Sequence, residues 1–361
     1  MIRKRALGIR LLTVLAIASV LAIPAGTALQ AAEKEQNHSF SSDRLTIRNV
    51  IGEIHIEGHG GSTFEVVVRS GGRDAAEGSI RTKITDDQLD VIFPAAAGEF
   101  VYPRLGHSKS EFGLKNGSMA DLFYGADGID RVKVRGSGKG LELWVDVTVR
   151  VPAGGHLDIV HGVGELFAEN VDGDLELATQ AGNVTADRTH GELSVATGSG
   201  DVGLSQIDSE SVEIATGSGD IKVQNSRGEE IELASGSGEI FLSAVQADSI
   251  EVGTGSGDIT AKEVDAVDVE MGTGSGDVTL DLWKMGGGEY KIGTGSGDIE
   301  LTMAGGVSAE VHAETSGGKI VVDLDAAEFS KHDVDEVRLT VGSGDARVEL
   351  GSGNGDIHIR G

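Results

Sequence analysis

The acidic residues that could do chemistry in this sequence recur at a fixed interval. The pentapeptide TGSGD stands at 197–201, 216–220, 254–258, 273–277 and 294–298, with near-copies at 235–239 (SGSGE) and 341–345 (VGSGD). Its acidic residue falls on Asp201, Asp220, Glu239, Asp258, Asp277 and Asp298, at steps of 19, 19, 19, 19 and 21. If equivalent residues stack, these carboxylates lie about 4.8 Å apart and repel by roughly 1 kcal/mol per neighbour even in water. They therefore form a candidate cation ladder, which calcium would relieve. Calcium, however, asks for six or more oxygens. A calcium β-roll uses the nonapeptide G-G-x-G-x-D-x-U-x, whereas here Asp follows Gly directly and no second carboxylate stands at a fixed offset. A phosphate cradle needs a following helix and a Lys, and an alternating apolar pattern follows instead. The reading preferred on these grounds is a corner: Gly supplies positive φ, Ser and Thr bond stacked neighbours or the local backbone, and Asp accepts amide hydrogens.

The elements that must carry these corners are strands. Ile221 and Val223, Ile231 and Leu233, Ile240 and Leu242, Ile250 and Val252 alternate with polar residues, which places them on one face of short extended runs. A second, variable turn separates the two runs of each period, as in QNSRGEE (224–230) and AVQADS (244–249). A meander gives no reason for identical corners at a fixed interval, but a stack does. Proline is absent after Pro152, as ladders paired on both sides require. The expected fold is all-β, a single-stranded parallel β-solenoid, or β-helix, of about 19 residues per coil with two short strands each. Half-repeats extend it backward through Glu165, Asp174, Asn183, Glu192 and Asp201, at steps of nine. Forward, it closes on the strand pattern GNGDIHIR (353–360), which predicts an exposed edge needing a cap or partner.

Composition bounds the setting. Arg3, Lys4, Arg5 and Arg10 precede LLTVLAIASVLAI (11–23), Pro24 and a small-residue tail, the pattern of a secretory signal peptide over 1–31, cut between Ala28 and Ala32. No other segment is apolar enough for a membrane helix. Without that leader 58 acidic residues face 26 basic ones, a net −32, which disfavours nucleic acid and anionic lipid. Cysteine is absent, so a buried core and not disulfides must hold the fold. An extracytoplasmic place follows, in the periplasm, on the cell surface or secreted.

The segments expected are N-terminal solenoid coils over 37–92, an aromatic-rich insertion or cap over 93–140, and the repeat solenoid over 141–361. Seven of the fourteen aromatics lie at 93–144. Such an insertion either covers the end of a solenoid or binds a partner, which makes Phe100, Tyr102, Phe112, Phe123 and Tyr124 candidate binding residues. A polysaccharide-active enzyme would draw on Asp121, Asp127, Asp130, Arg131 and Lys133 beside the insertion, though nothing in the sequence pairs them. His55 and His59, four apart on a strand, sit about 13 Å from each other and do not meet at one metal. No nucleophile elbow or Ser/His/Asp set is present, so no catalytic residue, cofactor or firm metal site is expected.

RLTIRNVIGEIHIEG (44–58), LWVDVTVRVPAGGHLDIVHGVGELFAENVDGDLELATQAGNV (143–184) and the later SGDI-type corners resemble the adhesin-like family of β-strand-repeat proteins, domain of unknown function 4097. The resemblance implies a β-solenoid carried by bacterial envelope or surface proteins, with no established enzymatic activity and no catalytic residues to transfer. The expected function is an adhesin-like, non-enzymatic scaffold that contacts an envelope polymer or a surface protein. The alternatives are a polysaccharide-active β-helix enzyme and a calcium-stabilised secreted β-roll.

Overall fold

A computed structural model describes residues 34–95, 98–113, 119–125, 130–303, 307–325 and 327–361. The leader expected over 1–31 lies outside the described residues. From 155 to 303 the alternating runs form two walls of parallel strands with the apolar residues between them. Ile221, Val223, Ile231 and Leu233 are all buried, as are Ile240, Leu242, Ile250 and Val252. Rungs stack in register: Ile231 pairs with Ile250 and Ile250 with Val269, each one full period further along the chain. The step is 18 between Leu157, Leu175 and Leu193, and 21 where Val269 meets Tyr290.

One period runs along a short wall (221–224), through a bend, along a long wall (230–235) and around the Gly-Ser corner to the next rung. The sequence predicts two strands separated by a variable turn. In three coils the strand is instead continuous across it, over Ile221–Ser235, Ile240–Thr254 and Ile259–Thr273. The bend there is made by one left-handed residue, Asn225, Ala244 or Glu263, and Asn170, Arg188 and Gln206 hold the same place in coils whose strand does stop at the bend, all with φ between 50° and 56°. A single αL residue turns the chain without breaking the ladder.

Both ends depart from simple succession. Ala346–Ser352 and Ile357–Arg360 do not lie at the outside of the stack. They lie between the coil of Glu289–Thr294 and Ile299–Met303 and the coil of Ala309–Thr315 and Ile320–Asp323, paired in parallel on both sides. The exposed edge expected at 353–360 is thus corrected: His358 faces Glu300 on one side and Val321 on the other. Outermost on the long wall is an antiparallel hairpin, Glu328–His332 with Glu336–Val341, packed on Ala309–Thr315. It is short, charged and bulged between Phe329 and Lys331, features that blunt further pairing.

At the other end Arg44–Ile51 stacks on Gly155–Val163, and Ile54–His59 on Leu166–Glu169. Beyond them Gln88–Pro94 and Trp144–Pro152 add one more parallel strand to each wall. Arg81–Ile84, Phe64–Gly71 and Lys34–Phe40 then turn antiparallel. The stretch 37–92, expected as successive coils, therefore makes one parallel coil and end-blocking hairpins.

The insertion forms its own small sheet, in the order Leu141–Glu142, Glu99–Val101, Arg131–Arg135, Lys109–Gly113. It packs on the N-terminal end through Phe93, Phe100 and Phe123, whose rings lie 6.0 to 6.5 Å apart. Among the described residues no helix is long and apolar enough to cross a membrane.

Candidate functional site

The repeated corner carries the residues with candidate chemistry. None of the glycines at the TGSGD positions of 197–298 has φ in the left-handed range, which corrects the expectation that they supply positive φ. They are required for a different reason. A Cβ on Gly219, Gly238, Gly257, Gly276 or Gly297 would lie 1.8 to 2.0 Å from the carbonyl oxygen of the glycine one coil below. Backbone packs directly on backbone here, and no side chain fits between.

The Thr or Ser that opens each corner points inward and is buried. In register these residues form one polar column: Asn49, His161, Thr179, Thr197, Thr216, Ser235, Thr254, Thr273, Thr294, Ser352 and Thr315. Each hydroxyl donates to the carbonyl of a glycine below, as Thr254 does to Gly238 (2.9 Å), Thr273 to Gly257 (2.8 Å) and Thr294 to Gly276 (2.7 Å). Ser235 also accepts the N–H of Gly238 at 2.8 Å. A buried hydroxyl that is satisfied in this way carries no unpaired polar cost.

His161 does the same work at the N-terminal end of the column, with Nε2 2.9 Å from the Gly52 carbonyl. Burial pushes its ring down to about 4, against the opposing pull of the Gly52 and Asn49 carbonyls. The unfolded chain takes up the proton near pH 6.5 and the folded chain does not, so stability is full above that pH and falls as pH drops towards 4. We expect His161 to account for a loss of about 2 kcal/mol between pH 7.5 and pH 5. Urea titrations at the two pH values should show that slope in the intact protein and a shallower one in His161→Gln.

The corner acids form a ladder whose partner is the backbone. Asp201 Oδ1 accepts the N–H of Asp220 (3.0 Å), Asp220 that of Glu239 (2.9 Å), Asp258 that of Asp277 (2.9 Å) and Asp277 that of Asp298 (2.8 Å). The rung from Asp258 down to Glu239 is missing among the described residues; the longer glutamate replaces the aspartate there. Asn183 plays the aspartate's part below Asp201, at 2.9 Å, so the rung needs an acceptor and not a charge. Asp258→Asn should therefore match or exceed the parent in stability, while Asp258→Ala should lose about 1–3 kcal/mol, read from chemical unfolding. Treatment with EDTA should leave the strand signal in circular dichroism intact; its collapse would restore the calcium ladder.

The other sequence candidates are placed as follows. Phe100, Tyr102 and Phe123 are buried and pack the insertion against the solenoid, so their rings are not on its surface. Tyr124 is half-buried, donates its hydroxyl to the Ser79 carbonyl and lies under the Arg81 guanidinium. Phe112 sits opposite Val132 in the small sheet. Asp121 is held by Arg48 and Arg131 by Glu111; Asp127 lies outside the described residues. Of the residues named for an enzyme, Asp121 and Arg131 thus pair with Arg48 and Glu111 and not with each other.

Two charged clusters are closed by arginines far from their carboxylates in the chain, which the sequence does not show. Arg48 grips Asp90 through Nε (2.7 Å) and Nη2 (2.8 Å) and reaches Asp121 with the same guanidinium. Burial alone would raise the Asp90 carboxyl, but hydrogen bonds from Arg48 and Gln88 hold it below the ordinary carboxylate range. His156, Asp158 and Glu176 are near enough to share an ion. Arg44, however, already lies 2.8 Å from Asp158 Oδ2 through Nε, and His156 Nε2 lies 2.9 Å from Oδ1. A guanidinium occupies the position a cation would take.

A parallel β-solenoid with acidic corners bonded to their own backbone defines the class. The chain belongs to the Toastrack DUF4097 family, whose profile matches residues 144–360. Among solved structures it is similar to a candidate cell adhesion protein of Clostridium sporogenes, at 10% identity and TM-score 0.20, over 91% of this chain and 99% of that one. It is also similar to a candidate adhesin of Bacteroides fragilis (12% identity, TM-score 0.40, 92% and 100% covered). A candidate lipid-binding protein of Parabacteroides distasonis is similar at 14% identity and TM-score 0.41, with 91% and 97% covered. No curated protein matches the chain.

Proposed function

We propose that this protein is an adhesin-like, non-enzymatic, extracytoplasmic scaffold: a single-stranded solenoid, each coil one TGSGD period long, that presents its walls to an envelope or surface polymer or protein. The observation that carries this reading is the fate of the corner residues. Their hydroxyls bond glycine carbonyls and their aspartates bond amides of the next coil, which leaves a long, rigid, repetitive surface as the feature on offer. Family membership supports the architecture, and the basic-then-apolar start of the chain supports export.

Purified protein should co-sediment with an isolated cell-envelope fraction, and failure to bind any such fraction would remove the reading. Export is checked separately. The mature protein recovered from cells should begin between Ala28 and Ala32 by mass spectrometry, and a chain retaining Met1 in the cytoplasm would contradict it.

A further inference from the structure

The two walls offer solvent different chemistry. On the long wall Glu213, Glu232, Glu251 and Glu270 stack in register and are exposed, and the first cation in that column is Lys291, opposite Glu270. The outward column of the short wall runs Thr185, Gly203, Lys222, Phe241, Thr260, Thr279, and reaches no carboxylate before Glu300. Beside it run Ser205, Gln224, Ser243 and Lys262, with Asp187 on the rung below Ser205 and Asp281 two residues before Trp283. In a chain of net charge −28, one face is a stack of like charges, and the other presents mainly hydroxyl, amide and ammonium groups between Asp187 and Asp281.

Aromatic rings mark this wall and the bend that ends it. Phe241 is half-exposed, with Lys222 Nζ 5.8 Å from its centroid. Trp283 lies four residues beyond Thr279 and is 70% exposed. Its exposure has a local cause. Val264 pairs with Leu282 and Asp265 with Lys284, so Trp283 is an extra residue with no partner in the rung below. Such a bulge re-aims a side chain out of the ladder. The preceding coils make this bend with an αL residue and no aromatic. A large apolar ring held in water beside polar groups marks a contact surface.

We propose that the short wall, with Phe241 and Trp283 as its platforms, is the face that takes a neutral glycan chain. A pyranose has an apolar C–H face that stacks on an aromatic ring, and hydroxyls that exchange hydrogen bonds with Thr, Ser, Gln and Lys groups. This wall supplies both, whereas the long wall would repel an anionic polymer, and the glutamate column offers a neutral one no ring before Phe329 of the outermost hairpin. The inference rests on the scaffold reading for its choice of a surface polymer as partner.

The test is an immobilised array of neutral hexasaccharides, including chitohexaose, cellohexaose and maltohexaose, probed with the full chain. At least one should bind, with affinity at least tenfold lower in Trp283→Ala and unchanged in the long-wall variant Glu232→Gln/Glu251→Gln. Circular dichroism and the thermal midpoint of Trp283→Ala should match the parent, since the ring packs on little. As a second readout, in a Trp144→Phe background the emission of Trp283 should shift to the blue with the bound sugar. The proposal is overturned if no neutral oligosaccharide binds, if binding ignores Trp283→Ala, or if it is lost in the long-wall variant. Envelope co-sedimentation that persists alongside a blank array would overturn this face alone and leave the scaffold reading standing.

Discussion

Gly257→Ala is expected to destabilise the protein by about 3–5 kcal/mol, more than any other change in its corner. The added methyl would sit 2.0 Å from the Gly238 carbonyl oxygen and 2.5 Å from its carbon. Neither atom is the free end of a side chain. Gly238 O is tied to the Thr254 hydroxyl, and Gly257's own carbonyl is tied to Thr273, so relief requires opening two rungs. Stability in a stack is a sum over nearest neighbours, so urea unfolding should split into two transitions as the variant separates at that rung. Gly253→Ala is the control. No heavy atom lies within 4 Å of a Cβ there, and the same column holds Ala215 and Ala234 two coils and one coil below. That change should stabilise by about 0.4–1 kcal/mol through the unfolded chain. Equal effects at the two glycines would refute the close-approach account.

Arg48→Met should cost a similar amount, about 3–5 kcal/mol at neutral pH, because it strands a buried carboxylate. Asp90 is 2% exposed and keeps its charge through Arg48 and Gln88. In the parent its depressed pKa adds stability above the ordinary carboxylate value, and that contribution is lost as pH falls. In the variant, burial without a partner raises the pKa, so Asp90 takes a proton earlier. The gap between parent and variant should therefore be widest at pH 7 and narrow towards about pH 4. Adding Asp90→Asn to Arg48→Met should recover much of the loss, since the pair acts as a unit. Arg48 also holds Asp121, so proteolysis within 98–125 should quicken in the variant. A pH-independent gap would mean that the loss is one of packing and not of charge.

The stack was legible because identical residues must recur where coils superpose, and TGSGD or its near-copy does so at four steps of 19 and one of 21. The apolar alternation at Ile221, Val223, Ile231 and Leu233 likewise named the core. The glycines' purpose was not legible. Positive φ and close backbone approach both demand Gly and leave the same letter, and only the distances to Gly200 O or Gly219 O separate them. The true left-handed positions were hidden for the opposite reason: Asn170, Arg188, Gln206, Asn225, Ala244 and Glu263 share a conformation and no chemistry. Arg48, Asp90 and Asp121 meet only through tertiary packing, and one sequence without contacts cannot pair them. The order of the outer coils did leave a trace. Asp356 can both donate its N–H to Asp298 and accept that of Lys319, whereas Lys319, at the same position of its coil, offers no acceptor to a further rung. The coil that carries the lysine is the outer one, in keeping with that difference.

That inversion sets a timetable for assembly. Coils up to 289–303 can add one after another in the direction of synthesis, each against a template already formed. The segment 309–323 cannot, since its seat is built from 346–360, made later. At roughly 5–20 residues per second this leaves the run 320–323 waiting roughly 2–7 s for its parallel partner, while 309–315 can pair earlier with 336–341. A chaperone acting in that interval would decide between closure and misassembly.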